Sequence, residues 1–160
     1  MNPRLFSVRV TLEANAALFR KALAGVNPEV ALVRPNGQTN HMAFLACHVL
    51  DARSYLTTYI GGDGSHEYGE LLGRAPDIDG LEPPPPEGVL RAFDVVTQKL
   101  DSRLAELADE DLDASSPEAF PFGGGTIFGG MTFLAWHEAY HVGQMGLVRR
   151  YLGLESLTGR

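Results

Sequence analysis

Apolar residues recur every three or four positions along four long stretches of the chain, which is the spacing of one face of an α-helix. The stretches run roughly from Pro3 to Gly25, from Thr39 or Asn40 to Ile60, from Glu87 to Ala108 and from Ile127 to Leu154. No segment shows a convincing alternation of apolar and polar residues that would predict a β-strand. The pattern therefore predicts an all-α fold, specifically a four-helix bundle.

Residue types near the ends of these stretches predict where the helices begin and end. Thr39 or Asn40 is a suitable N-cap for the second helix, and Thr126 is a suitable N-cap for the fourth. Gly61 and Gly62 are expected to stop the second helix. The segment from Val26 to Gln38, which contains a Pro-Asn-Gly turn signal, is expected to be a loop.

The longest connection covers residues 61–87 and contains four consecutive prolines, Pro83 to Pro86. Consecutive prolines favour an extended polyproline conformation, so we expect a rigid strap across the bundle rather than a recognition motif for another domain. The connection is long enough for the second and third helices to run parallel. The expected architecture is a bundle with a long crossover between helices 2 and 3.

Length and charge narrow the range of functions. A chain of 160 residues can bury a full core, and we expect one domain spanning residues 1–160. The formal net charge of -7 and the scattered basic residues argue against nucleic-acid binding, which needs clustered Lys and Arg. Neither a signal peptide nor an uncharged apolar run of about 18 residues is recognisable, so a soluble cytoplasmic protein is expected.

The single cysteine, Cys47, excludes an internal disulfide and fits a reducing compartment. It directly precedes His48, but adjacent helical residues point about 100° apart and should not face the same ion. Free cysteine is also among the most frequently buried residue types. We therefore expect Cys47 to be a small buried thiol.

The fourth stretch contains the segment Trp136 to Gln144, in which His137 and His141 are four residues apart. In a helix that spacing places both imidazoles on one face, about one turn apart, where they can reach a single ion. Apolar residues surround them at helical spacing, so this face should point into the core. Hydrogen-bonded core histidines are the alternative interpretation of the pair.

Three further histidines lie elsewhere in the chain. His48 is in the middle of the second helix among apolar neighbours, which predicts a position facing the core. His41 lies about 10 Å away along that helix, too far to share an ion, and is expected to cap the helix start. His66 lies in a polar loop and is expected to be exposed.

If helices 2 and 4 are antiparallel neighbours, His48, His137 and His141 lie at a similar depth in the bundle. Bundles build metal sites from such inward side chains of facing helices. Three neutral nitrogen ligands suit Zn, Ni or Fe and leave at least one position open for water or substrate.

The segments Asn40 to Ala52 and His137 to Gln144 resemble the DinB-like family, also called the DinB/YfiT superfamily, and the resemblance covers nearly the whole chain. It implies a helical bundle with a long crossover between helices 2 and 3 that binds a divalent metal through His48, His137 and His141. Many members of the family are homodimers, so the resemblance also implies a homodimer. Relatives in this family include thiol S-transferases that use bacillithiol or mycothiol, and a mycothiol-dependent isomerase.

Five side chains near the predicted ligands are candidates for supporting roles. Asp51 follows His48 by one turn and is a candidate to orient it, and Glu138 is the other acid nearest by sequence. Tyr55, Tyr140 and Gln144 are candidates to line a pocket, with Gln144 expected to act as a structural hydrogen-bonding residue. Ordinary packing or surface roles are the alternative for all five.

Three functions from different classes remain open at this point. A metal-dependent thiol S-transferase would consume a low-molecular-weight thiol together with a small electrophile. A metal-dependent hydrolase would turn over an ester or amide without a thiol. A dimeric bundle could also use the ion as a structural or sensing element without catalysis.

Overall fold

A computed structural model describes residues 2–72 and 82–159, and its body is formed by four long helices. These are α1 (Phe6–Leu23), α3 (Met42–Tyr59), α5 (Pro86–Glu106) and α7 (Ile127–Tyr151). Three short helices lie between them: α2 (Pro28–Ala31), α4 (Gly69–Leu72) and α6 (Asp109–Asp113). The described residues contain no β-strand, so the prediction of an all-α helical bundle is confirmed.

Helix α7 runs parallel to α1 and antiparallel to α3. Near the beginnings of α1 and α7, the guanidinium of Arg4 lies 5.5 Å from the ring centroid of Phe128. Near their ends, Arg149 Nη1 donates to the carbonyl oxygen of Ala22 at 2.9 Å. By contrast, the hydroxyl of Tyr59 at the end of α3 reaches the carbonyl oxygen of Thr126 at the start of α7.

Helices α3 and α5 run in the same direction. Arg53 in the middle of α3 contacts Thr97 in the middle of α5, and Arg103 near the end of α5 donates to the carbonyl oxygen of Ile60, at the end of α3. A connection between neighbouring parallel helices has to return along the bundle. Residues 73–81 of that connection lie outside the described residues, so the path of the crossover stays a prediction.

The helix caps agree only partly with the sequence predictions. Thr126 Oγ1 accepts a hydrogen bond from the Gly129 amide at 3.1 Å, which confirms it as the N-cap of α7. At α3 the cap is neither Thr39 nor Asn40. His41 Nδ1 accepts from the Phe44 amide at 3.0 Å, which confirms the capping role expected of His41.

Short helix α2 lies where a loop was expected. Asn27 Oδ1 accepts from the Val30 amide at 2.8 Å, and Pro28 occupies the first turn, where its missing N–H has no cost. Pro28 therefore begins a short helix, three residues after Gly25. The expectation of a loop over the whole of residues 26–38 was wrong for this part.

The apolar core consists of two clusters, one toward each end of the bundle. One cluster is centred on Phe19, Met42, Phe93 and Met145, and the other on Leu56, Leu100, Leu112 and Met131. The buried side chains of Arg53 and Glu138 lie between the two clusters along α3 and α7. None of the described helices is long and apolar enough to cross a membrane.

Candidate metal centre

The three histidines predicted as ligands lie together on the facing sides of α3 and α7. His137 and His141 are one turn apart on α7, and the antiparallel α3 brings His48 opposite them. His141 Nε2 lies 3.1 Å from His48 Nε2 and 3.1 Å from His137 Nε2. One ring nitrogen from each of the three residues lies within 4.8 Å of the other two.

These separations fit coordination of one ion. With metal–nitrogen bonds of about 2.0 to 2.1 Å, two imidazole nitrogens are about 3.3 Å apart at a tetrahedral angle and about 3.0 Å apart at a right angle. The two observed distances of 3.1 Å lie between those values. The group could therefore hold a divalent metal ion, and it contains no charged ligand.

Gln144 fixes the orientation of one of the imidazoles. Its side-chain oxygen Oε1 lies 2.7 Å from His141 Nδ1, and because a carbonyl oxygen only accepts, Nδ1 carries the proton. The other nitrogen, Nε2, then presents its lone pair to the centre of the cluster. A hydrogen bond of this kind commonly orients a metal-binding histidine, and it supports the structural role expected of Gln144.

Burial keeps the imidazoles neutral. Burial is the main reason why the pKa of His48 is lowered to about 4, and repulsion by His141 and His137 contributes to the same shift. Burial also lowers the pKa of His137, with a contribution from His141. The pKa of His141 is lowered by burial, against which the hydrogen bond to Gln144 acts. Neutral rings keep the lone pairs that a cation needs.

Aromatic rings pack against all three imidazoles. Phe44 stacks on His48 with ring centroids 5.9 Å apart, and Phe133 stacks on His137 at 6.0 Å. Packing of this kind restricts the rotation of both imidazoles. It matters most for His137, whose buried Nδ1 has no hydrogen-bond partner among the described residues.

Both acids near the predicted ligands lie away from the cluster. Glu138 points into the core, where it is 2% exposed and pairs with Arg53. Asp51 is exposed and, within the described part of the chain, makes no hydrogen bond to any of the three histidines. The possible role of Asp51 in orienting His48 therefore finds no support in the contacts.

The two tyrosines considered as pocket residues lie at the surface, and of the two only Tyr140 packs on a clustered histidine. Tyr140 is 53% exposed and packs its ring edge-to-face on His141, with centroids 5.1 Å apart. Tyr55 is 36% exposed. Burial and a hydrogen bond with Glu118 raise the pKa of Tyr55 to about 12, so it stays protonated at neutral pH.

Cys47, His41 and His66 take no part in the cluster. Cys47 is buried, as expected, and burial raises its pKa to about 12. His41 caps α3. His66 is half-buried rather than exposed, because its Nδ1 accepts from the Tyr68 amide and its Nε2 is enclosed, so the prediction for His66 was wrong.

Sequence reasoning missed the buried polar residues beneath the histidines. Arg53 is 1% exposed, and Asn15 donates to the carbonyl oxygen of Ala135 at 3.0 Å in the core. Arg53 left a signal in the sequence, because it follows Val49 by four residues and precedes Leu56 by three. A charged residue on an apolar helical face predicts a buried partner.

A family model described as the DinB superfamily matches residues 11–145, a range that includes all three clustered histidines. No curated protein matches the chain.

Proposed function

Because the chain belongs to the DinB superfamily, we propose that it is a divalent-metal-dependent enzyme that transfers a low-molecular-weight thiol to a small electrophile. The observation that carries this proposal is the convergence of the Nε2 atoms of His48, His137 and His141. All three side chains are only half-buried, so small molecules can approach the cluster from solvent. A structural site with four protein ligands would lack an open position.

Each residue of the site has a defined task in this proposal. A divalent ion with three neutral ligands retains its full charge and lowers the pKa of a thiol or water molecule beside it. His48, His137 and His141 hold the ion, and Gln144 keeps the proton of His141 on Nδ1. Zn, Ni and Fe all accept imidazole ligands, and zinc is the first to test.

The proposed transfer is a nucleophilic substitution. The thiol sulfur forms the new sulfur–carbon bond with its electron pair, and the leaving group of the electrophile departs with the electrons of the broken bond. The thiol proton passes to solvent. No oxidant or reductant takes part, which is consistent with a redox-inert ion such as Zn²⁺.

The experiment uses the zinc-loaded chain with cysteine, bacillithiol or mycothiol as the thiol and monochlorobimane as the electrophile. Formation of the fluorescent thioether should exceed the uncatalysed reaction, disappear after chelation and return with zinc. His48→Ala should abolish the activity. His66→Ala is the matched control and should retain it, because His66 lies outside the cluster.

Other outcomes distinguish the competing functions. Activity that survives complete metal removal would contradict the proposal. Thiol-independent hydrolysis of 4-nitrophenyl acetate that needs the same three histidines would indicate a hydrolase instead. Metal-dependent thermal stabilisation without turnover in either assay would indicate a non-catalytic metal-binding bundle.

A further inference from the structure

A connected group of aromatic side chains leads from the imidazole cluster to the protein surface. We call this group the aromatic rim; it consists of Phe122, Phe133, Trp136 and Tyr140. Phe122 lies edge-on to Phe133 and to Trp136, with centroids 5.2 and 5.3 Å apart. Trp136 stacks on Tyr140 at 5.9 Å.

The aromatic rim joins the imidazoles directly. Phe133 stacks on His137, and Tyr140 packs edge-to-face on His141. A molecule lying on the rim would therefore lie beside two of the three imidazoles.

The outer members of the rim remain largely exposed after folding. Phe122 is 45% exposed, Trp136 50% and Tyr140 53%. These rings adjoin one another, and contiguous exposed apolar surface is a feature of binding sites. Binding sites for small molecules combine such surface with a few polar groups, which the imidazoles would supply here.

We propose that the aromatic rim binds the electrophile, and that this electrophile carries an uncharged, planar aromatic group. The inference rests on the proposed function, because it assigns a substrate class to the same site. Aromatic rings attract one another in stacked and edge-to-face arrangements with centroids 4.5 to 7 Å apart. The rim already contains both arrangements, so the flat ring of a bound substrate can stack on, or lie edge-to-face against, an exposed ring of the rim.

The net charge of the chain favours a substrate without a negative charge. The chain carries a formal charge of -7. An anionic electrophile would meet repulsion from this charge.

A small molecule fits the position of the rim better than a second copy of the chain. The exposed rings lie beside the half-buried imidazoles, so a protein that covered them would also close the approach to the proposed centre. A small aromatic substrate occupies the same surface only during turnover.

Trp136 is the only tryptophan in the chain, so its fluorescence reports on the rim directly. The zinc-loaded protein is titrated, without any thiol, with nitrobenzene as an unreactive aromatic probe and with nitrocyclohexane as its non-aromatic counterpart. Tyr140→Leu removes a rim ring. Tyr151→Leu is the matched control, because Tyr151 lies on the same helix, is 65% exposed and belongs to no ring pair of the rim.

We expect saturable quenching by nitrobenzene, with a Kd raised about three- to tenfold in Tyr140→Leu and unchanged in Tyr151→Leu. Nitrocyclohexane should cause no saturable change. Quenching that is linear, or equal for the two probes, would overturn the inference. So would Trp136 emission that depends on protein concentration, because a second copy would then cover the rim. No step requires turnover, so the result stands apart from the test of thiol transfer.

Discussion

Arg53 on α3 and Glu138 on α7 form a two-point ion pair in the centre of the bundle. Arg53 Nε donates to Oε2 at 2.8 Å and Nη2 to Oε1 at 2.5 Å, and both side chains are almost fully buried. Arg53 follows His48 by five residues, and Glu138 lies between His137 and His141. The pair therefore fixes how far α3 can slide along α7, and with it the convergence of the imidazoles.

Arg53 also links the remaining two long helices. Its Nη2 donates to the carbonyl oxygen of Leu12 on α1, and its Nη1 donates to Thr97 on α5. The guanidinium lies 4.4 Å from the ring centroid of Phe93. All four long helices thus meet at one side chain, which favours a single register for the bundle.

Removing one partner of this ion pair should destabilise the fold more than replacing both partners with apolar residues. Glu138→Leu leaves a buried positive charge unpaired and should lower the free energy of unfolding by about 3 to 5 kcal/mol. The double variant Arg53→Met with Glu138→Leu removes both charges and should recover much of that loss. Urea unfolding measures both values. Equal destabilisation of the single and double variants would show that the pairing itself contributes little.

Metal content should depend on the clustered histidines alone. Purified without a metal-affinity tag and reconstituted with zinc, the wild type should contain close to one ion per chain by mass spectrometry. His48→Ala and His141→Ala should lose it, because two imidazoles remain. His66→Ala serves as the control and should retain the ion. Metal-free wild type after exposure to Zn, Ni and Fe would contradict the proposed centre.

Gln144 should contribute to metal affinity without contributing much to the fold. Gln144→Leu removes the acceptor that holds the proton on His141 Nδ1, and loss of such a contact costs about ten- to a hundredfold in affinity. Competition with a chromophoric chelator measures the change. Gln98→Leu, on the exposed side of α5, should leave the affinity unchanged. An equal affinity in both variants would exclude this role for Gln144.

The thiol of Cys47 should be unreactive in the folded chain. Its pKa is raised to about 12, so almost no thiolate forms at pH 8 and the side chain is also shielded. A disulfide reagent such as Ellman's reagent should react only after unfolding. Rapid reaction of the native chain would contradict the burial of Cys47.

The raised pKa of Cys47 also predicts that the stability of the fold depends on pH. The folded pKa lies above the unfolded value of about 8.5, so the thiol's contribution is complete below pH 8.5 and is lost as the pH rises toward about 12. The difference in unfolding free energy between wild type and Cys47→Ala should therefore shrink over that range. A constant difference would argue against a raised pKa.

Alanine substitutions at two glycines of α7, Gly129 and Gly143, should change the stability of the fold in opposite directions. A Cβ on Gly129 would lie within 2.4 Å of the Gly123 backbone carbonyl, which cannot move aside, so Gly129→Ala should lower stability by about 1 to 3 kcal/mol or more. Gly143 has no atom within 4 Å of that position, so Gly143→Ala should add up to about 1 kcal/mol. Thermal unfolding compares the two variants. A stable Gly129→Ala would show that the Gly123 loop shifts easily.

Local patterns in the sequence were sufficient for the helices and for part of the site. Periodicity found the four long helices, because each buries one apolar face, and the spacing of His137 and His141 placed them on the same side of α7. Helix ends were less predictable. The cap at His41 depends on the rotation of one ring toward the Phe44 amide, whereas Thr39 and Asn40 had equally suitable chemistry.

The sequence by itself determined the helical class and the two histidines of one helix, because residues three or four apart in a helix are neighbours whatever surrounds them. Only the tertiary structure decided that His48 Nε2 lies 3.1 Å from His141 Nε2, since that distance depends on the direction and register of α3 against α7. The same packing turned Glu138 inward to Arg53, because a buried charge requires a partner that only another helix could supply.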